Sequence, residues 1–179
     1  MERSLDASDW SSAATLAANY GIYSGFELCE NSPREPGSEE YLNSEKYEIK
    51  YREWDGPGNI NDDVRRINQI RRANPALQRL RNLTFHHSEN EQILFYMKSA
   101  PGNDLLIAVN LDPFKIQDSM VHVPMDDLEI DSAQPFEVED LLTGERYLWG
   151  GIRNYVRFDP AERVGHVLRV IRPGGGAAQ

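Results

Sequence analysis

The spacing of apolar residues along the chain changes near Leu83. Beyond it, short runs rich in β-branched and aromatic residues recur at 93–98, 105–111, 120–123, 136–141, 147–149, 155–158 and 167–171. Turn signals separate them, among them APGND at 100–104, Asp112-Pro113 and Thr143-Gly144. Seven such runs at close spacing predict an all-β antiparallel sandwich. Ahead of Leu83 the pattern is different. Val64, Ile67, Ile70 and Ala73 recur at three-residue steps, with Arg65, Arg66, Arg71 and Arg72 between them, which is the stripe of an amphipathic helix. Asn61 or Asp62 can cap its start, and Asn74-Pro75 ends it because a residue before proline is pushed out of the α region. Residues 11–19 are rich in small helix formers, and GIYSGFELCE at 21–30 brings β-branched and aromatic side chains. That order predicts a short helix and then a buried strand. One strand cannot close a sheet of its own, so the first part of the chain points to neighbours outside itself.

Between these elements, residues 31–61 are rich in Pro, Gly and Glu with no sustained period. Loops of about 30 residues in compact domains are usually functional or disordered. Glu27, Glu30, Glu35, Glu39, Glu40, Glu45 and Glu48 make this stretch acidic, and a solvated charged loop is the default reading of them. Paired carboxylates about 5 to 5.5 Å apart would serve a retaining glycosidase, but spacing in sequence does not establish such a pair. Ser44-Glu45-Lys46-Tyr47-Glu48 is more informative. Lys46 can donate to sugar hydroxyls, and Tyr47 can offer both a ring face and a hydroxyl; the competing reading is a surface lysine beside a core tyrosine.

Composition narrows the classes. A hydrophobic content of 40% can fill a core for a chain of 179 residues. The formal net charge of -10 argues against a nucleic-acid partner, which needs clustered Lys and Arg to displace counterions. No apolar run approaches the roughly 20 residues that span a bilayer, and MERSLDASDW lacks a basic and then apolar leader. A single cysteine, Cys29, makes no internal disulfide and fits a reducing, cytoplasmic setting. His86, His87, His122 and His166 fall on separate predicted strands or at the junction between the two parts, a pattern that favours structural histidines over a metal site. There is no G-x-S-x-G elbow, and Gly174 to Gly176 precede no helix. Tyr147, Trp149, Tyr155 and Phe158 could form a sugar-stacking platform, although a sandwich needs large side chains inside and core packing is the favoured reading.

YGIYSGFELCEN at 20–31 and GSEEYLNSEKYEI at 37–49 resemble the eighth barrel strand and following loop of the bacterial α-1,4-glucan:maltose-1-phosphate maltosyltransferases, which belong to the α-amylase superfamily. RINQIRRANPALQ at 66–78 is similar to the last barrel helix, and IAVNLDP at 107–113 with DLLTGERYLWGGIRNYVRFDP at 140–160 is similar to the C-terminal sandwich. The resemblance implies the last strand and helix of a (β/α)8 barrel with a substrate loop at 1–83, a β-sandwich at 84–173 and a flexible tail at 174–179. It also implies transfer of maltosyl units from α-maltose 1-phosphate to the non-reducing end of α-1,4-glucan, with phosphate released and the anomeric configuration retained. No metal or organic cofactor is implied, and the family tends to form homodimers. Lys46 and Tyr47 inherit the role of holding the maltosyl unit in the donor site. Asn43 stands where the family usually has Asp, and MERSLDASDW does not resemble the helix expected before the eighth strand. None of the glutamates at 27–48 matches the family's catalytic carboxylate motifs, so no catalytic residue is assigned to this chain. The competing expectations are a stand-alone carbohydrate-binding or interaction module, and another enzyme of the α-amylase superfamily.

Overall fold

The computed structural model describes residues 14–30, 32–38, 40–42 and 49–172. Eight strands carry the fold: β1 (Leu83–His86), β2 (Ile93–Ala100), β3 (Asn103–Asn110), β4 (Gln117–His122), β5 (Pro135–Asp140), β6 (Arg146–Gly150), β7 (Arg153–Phe158) and β8 (Gly165–Ile171). Six form one sheet in the order β1-β2-β3-β8-β5-β6, and β4 pairs with β7 in a second. Every pairing is antiparallel. The strands expected from the pattern form, and β1, a short edge strand, joins them.

Burial follows the two-residue period. In β7 the residues alternate wet and dry, with Asn154, Val156 and Phe158 turned inward, as expected for a strand with one solvated face. β3 is buried at every position, because it lies in the middle of the large sheet and both faces are covered. Leu106 and Ala108 join Phe95, Val138, Val156 and Phe158 in the core between the sheets. Leu105, Ile107 and Val109 face the other way, onto Ile60, Ile67, Ile70 and Leu77. Each fully buried aliphatic of this kind contributes about 1.5–3 kcal/mol. The β2–β3 hairpin turns on Pro101-Gly102, where Gly102 has φ 72°, a backbone that lacks a Cβ penalty only in glycine. At the other end, Glu89 accepts hydrogen bonds from Arg153 and His122, which hold its carboxyl down to about 2.

The residues ahead of β1 cover the outer face of the large sheet. Helix α1 (Asn61–Ala73) ends as expected, with Asn74 in extended backbone before Pro75. Its start differs from expectation. Neither Asn61 nor Asp62 caps it: Ile60 stands at the N-cap position with no side-chain cap, and the Asn59 side chain accepts from the Asn61 amide at 3.0 Å. Residues 14–16 are helical, and the carbonyls that follow are captured by cations. Arg71 donates to Ala17 O at 3.1 Å and Ala18 O at 2.6 Å as well as to Ala14 O. Lys98, fully buried on β2, donates to Leu16 O at 3.2 Å, and Thr15 shares a 2.6 Å hydrogen bond with the Tyr96 hydroxyl. Cations at the free carbonyls of a helix end satisfy groups that burial would otherwise orphan.

The strand expected over GIYSGFELCE does not form. Residues 24–29 make a turn and a 3-10 helix, Phe26–Leu28, closed by Gly25 at φ 103° and Cys29 at φ 58°. A β-strand needs a hydrogen-bonding neighbour, and among the described residues none lies beside it. The amide of Glu30 instead donates to Gly25 O at 3.1 Å, and that of Ile60 donates to Glu27 O at 2.8 Å.

Candidate functional site

The long acidic loop begins and ends at one cluster. Glu30, at its start, accepts from Lys50 Nζ at 2.8 Å and from Arg52 Nε at 3.0 Å, with Arg52 Nη2 at 3.2 Å from the second oxygen. Arg52 Nη1 reaches Ser24 Oγ at 3.3 Å, and the Arg52 side chain is almost wholly buried. The bidentate fork suits a carboxylate. Gly25 is required here: a Cβ on it would lie 2.5 Å from a Glu30 carboxylate oxygen. Further out, the chain doubles back on itself. Pro33 bridges Tyr41, Leu42 N donates to Ser32 O at 2.8 Å, and the Tyr41 ring contacts that of Tyr23 at 6.2 Å. Residues 32–38 and 40–42 thus fold back in a hairpin-like way, and Lys50 and Arg52 meet Glu30 at the start of the loop. Lys46 and Tyr47, the expected donor-site pair, lie outside the described residues.

Glu30 was expected as one of several solvated glutamates, and its clamp was missed because nothing in sequence links position 30 to 50 and 52. Partial burial tends to raise its carboxyl, but hydrogen bonds from Arg52 and then Lys50 outweigh that and hold it below the ordinary value. A depressed folded value means that the stabilisation is complete above about pH 4.3, the unperturbed value. It is lost as pH falls through the lowered value. Trp54, whose ring lies 5.9 Å from the Arg52 guanidinium, reports on this. Its fluorescence is expected to change in an acid transition below about pH 4 that Glu30→Gln removes; an unchanged transition in that variant would contradict the clamp.

The histidines do not share a single fate. His87 and His122 meet edge to face at 4.7 Å, although their separation in sequence had placed them apart. Among the described residues no group of His, Cys, Asp and Glu could hold a metal. His166 is buried on β8 and hydrogen-bonds through Nδ1 to Asp140 Oδ2 at 2.7 Å. The one available signal was a histidine inside the apolar run of VGHVLRV. The aromatic cluster divides: Trp149 and Phe158 are core, as favoured, but Tyr155 is 55% exposed and was misjudged, because β7 turns it to the wet face.

Residues 85–170 match the family model described as GLGE, C-terminal. Over 170 residues, 93% of this chain, the sequence is 46% identical to α-1,4-glucan:maltose-1-phosphate maltosyltransferase 2 of Streptomyces coelicolor. Over 160 residues it is 46% identical to the enzyme of the same name from Rhodospirillum rubrum, covering 88% of the chain and 23% of that protein. The chain is a relative of the α-1,4-glucan:maltose-1-phosphate maltosyltransferases. It spans about a quarter of the length of the curated maltosyltransferases it matches. With 93% of the chain aligned, the match to the maltosyltransferases takes in the segment ahead of residue 85 as well as the β strands. Among solved structures, the α-amylase from Geobacillus thermoleovorans, complexed with acarbose, superposes with a TM-score of 0.68 at 16% identity, covering 96% of this chain and 34% of that one. A maltogenic α-amylase from Thermotoga neapolitana gives a TM-score of 0.62 at 11% identity, covering 95% of this chain and 37% of that one. At those identities the likeness speaks for the fold alone, an α-amylase-type arrangement dominated by antiparallel sheet. No helix among the described residues is long and apolar enough to cross a membrane.

Proposed function

We propose that this chain is the C-terminal portion of an enzyme that passes maltosyl units from α-maltose 1-phosphate to the non-reducing end of α-1,4-glucan, releasing phosphate. The observation that carries this reading is the 46% identity over 93% of the chain to a maltosyltransferase. Residues 1–83 then form the end of the catalytic barrel, and residues 84–173 its C-terminal sandwich. The large apolar side chains left bare ahead of α1 support that arrangement. Ile49 and Tyr51 are 85% and 96% exposed, and Tyr23 and Trp54 are about half exposed; large apolar side chains left bare mark a surface that something covers. With the rest of the barrel in place, residues 21–30 gain a neighbouring strand that none of the described residues supplies.

Retention of configuration requires two displacements through a covalent glycosyl-enzyme, with one carboxylate as nucleophile and another as acid and base. Those carboxylates come from earlier barrel strands, outside these residues. This chain contributes Lys46 and Tyr47 to the donor site, held on a loop whose two ends are tied at Glu30. Contacts to a sugar ring remote from the reacting carbon act by orienting it. The whole enzyme works in the cytoplasm as a homodimer, without cofactor, nucleic acid or membrane.

A domain exchange tests the reading. These 179 residues replace the matching quarter of the Streptomyces coelicolor enzyme, and phosphate release from maltose 1-phosphate is followed with glycogen as acceptor. The chimera is expected to release phosphate and to extend glycogen, while the 179-residue chain by itself releases none above the blank. A folded but inactive chimera, or activity in the chain alone, would sink the proposal.

A further inference from the structure

The edges of the two sheets part between β6 and β7, leaving a cleft of about 270 Å³. Its walls include Tyr147 and Trp149 of β6, Val156 of β7, Arg163, and His166 and Leu168 of β8. This is near the lower end of small-molecule pockets, which begin at about 300 Å³, and it suits one sugar ring rather than a chain of them. Tyr147 and Trp149 point inward, because they pair across the strands with Val138 and Phe136 of the core.

The polar groups of this cleft suit a ligand rich in hydroxyls, each of which can donate or accept. Asp140 is wholly buried and holds His166 Nδ1 at 2.7 Å, with the histidine side chain only 9% exposed. With Nδ1 held by the carboxylate, Nε2 is the ring nitrogen left to meet a ligand. Nε2 has no protein partner among the described hydrogen bonds, although the residue lines the cleft. Arg163 supplies N–H donors beside the same carboxylate oxygen. Its guanidinium is 3.6 Å from Asp140 and 3.3 Å from Glu145, and Glu145 also accepts from the Tyr147 hydroxyl at 2.6 Å. Arg163 is thus shared by two carboxylates, and Arg157, on the exposed face of β7, also lines the cleft. A polyol fits these walls: its hydroxyls can pair with Nε2 and accept from the guanidinium groups, while its C–H face lies against aromatic rings.

From this geometry we infer that the cleft between β6 and β7 is a second sugar site, which takes a terminal glucose unit of an α-1,4-glucan with His166 Nε2 and Arg163 as its polar contacts. The choice of glucan rests on the proposed function; the choice of a sugar rests on the aromatic walls and hydrogen-bonding groups of the cleft. The site would tether acceptor to the sandwich, away from the loop that carries Lys46 and Tyr47.

The test is an NMR titration of the 179-residue protein with maltotriose, in the absence of maltose 1-phosphate. The His166 Hε1 and Trp149 indole resonances are expected to shift saturably. His166→Asn keeps a donor for Asp140 but removes Nε2, so the dissociation constant is expected to rise about tenfold, the loss of one hydrogen bond. Tyr147→Leu removes the aromatic wall together with the hydroxyl that accepts from Arg163 at 3.3 Å, and it should weaken binding more than Tyr147→Phe, which loses the hydroxyl alone. Near-UV circular dichroism identifies a variant that has lost its fold, in which case the other decides. The inference is overturned if maltotriose leaves both resonances in place, if a folded His166→Asn or Tyr147→Leu binds as the parent does, or if inorganic phosphate competes for the same shifts. None of these results bears on phosphate release by the chimera, so the two readings fail separately.

Discussion

An Asp140→Ala variant is expected to lose about 3–5 kcal/mol of folding stability, seen as a lower urea midpoint at unchanged slope. The carboxylate at the end of β5 is fully buried and has no water to replace its partners. Oδ2 takes the His166 N–H at 2.7 Å and faces Arg163 at 3.6 Å, while Oδ1 accepts from Leu142 N at 3.0 Å. Removing it strands a buried imidazole N–H and a backbone N–H at the turn that leads into β6. A buried donor without a partner bears its full desolvation cost. Asp140→Asn should cost less, since its amide oxygen can still accept from one of these groups. In a double-mutant cycle, Asp140→Ala and His166→Ala together should cost less than the sum of the two, because the second change removes the donor that the first left unpaired. Strict additivity would mean that the pair does not act as a unit. If Asp140→Ala matches the parent in midpoint, the buried pair contributes nothing and this account is wrong.

In the chimera, Lys46→Ala is expected to reduce kcat/KM for maltose 1-phosphate by about 10- to 100-fold, the loss of a charged hydrogen bond to the sugar. An ammonium that touches the ring in the ground state as well as the transition state would appear mainly in KM. One that tightens as the bond to phosphate breaks would also lower kcat. Lys46→Arg should restore little, because a planar fork does not replace a compact ammonium. Tyr47→Phe separates the hydroxyl from the ring: if stacking is its main contribution, the variant stays near the parent. Unchanged kcat/KM in Lys46→Ala would remove Lys46 from the donor site.

The strands were legible because alternation of apolar and polar residues has the same period as the pleat, and β7 shows it residue by residue. So was α1, where Val64, Ile67 and Ile70 recur on one face and proline ends the run. The segment at 21–30 was misread for a reason that is equally physical. Its composition is that of a strand, but a strand is a pairwise structure, and with no neighbour among the described residues Gly25 and Cys29 fold it into a turn.

By itself the sequence determined the β-rich class, the helix before it, and a kinship to the maltosyltransferases, because these depend on local period and on long specific segments. Tertiary structure alone decided which charges meet. Glu30 finds Lys50 and Arg52, Asp140 finds His166, and Lys98 and Arg71 find the carbonyls of 14–18, each across a sequence separation that no periodicity encodes. Charge pairs of this kind are selected by burial, since only where water is excluded does a carboxylate need one particular partner.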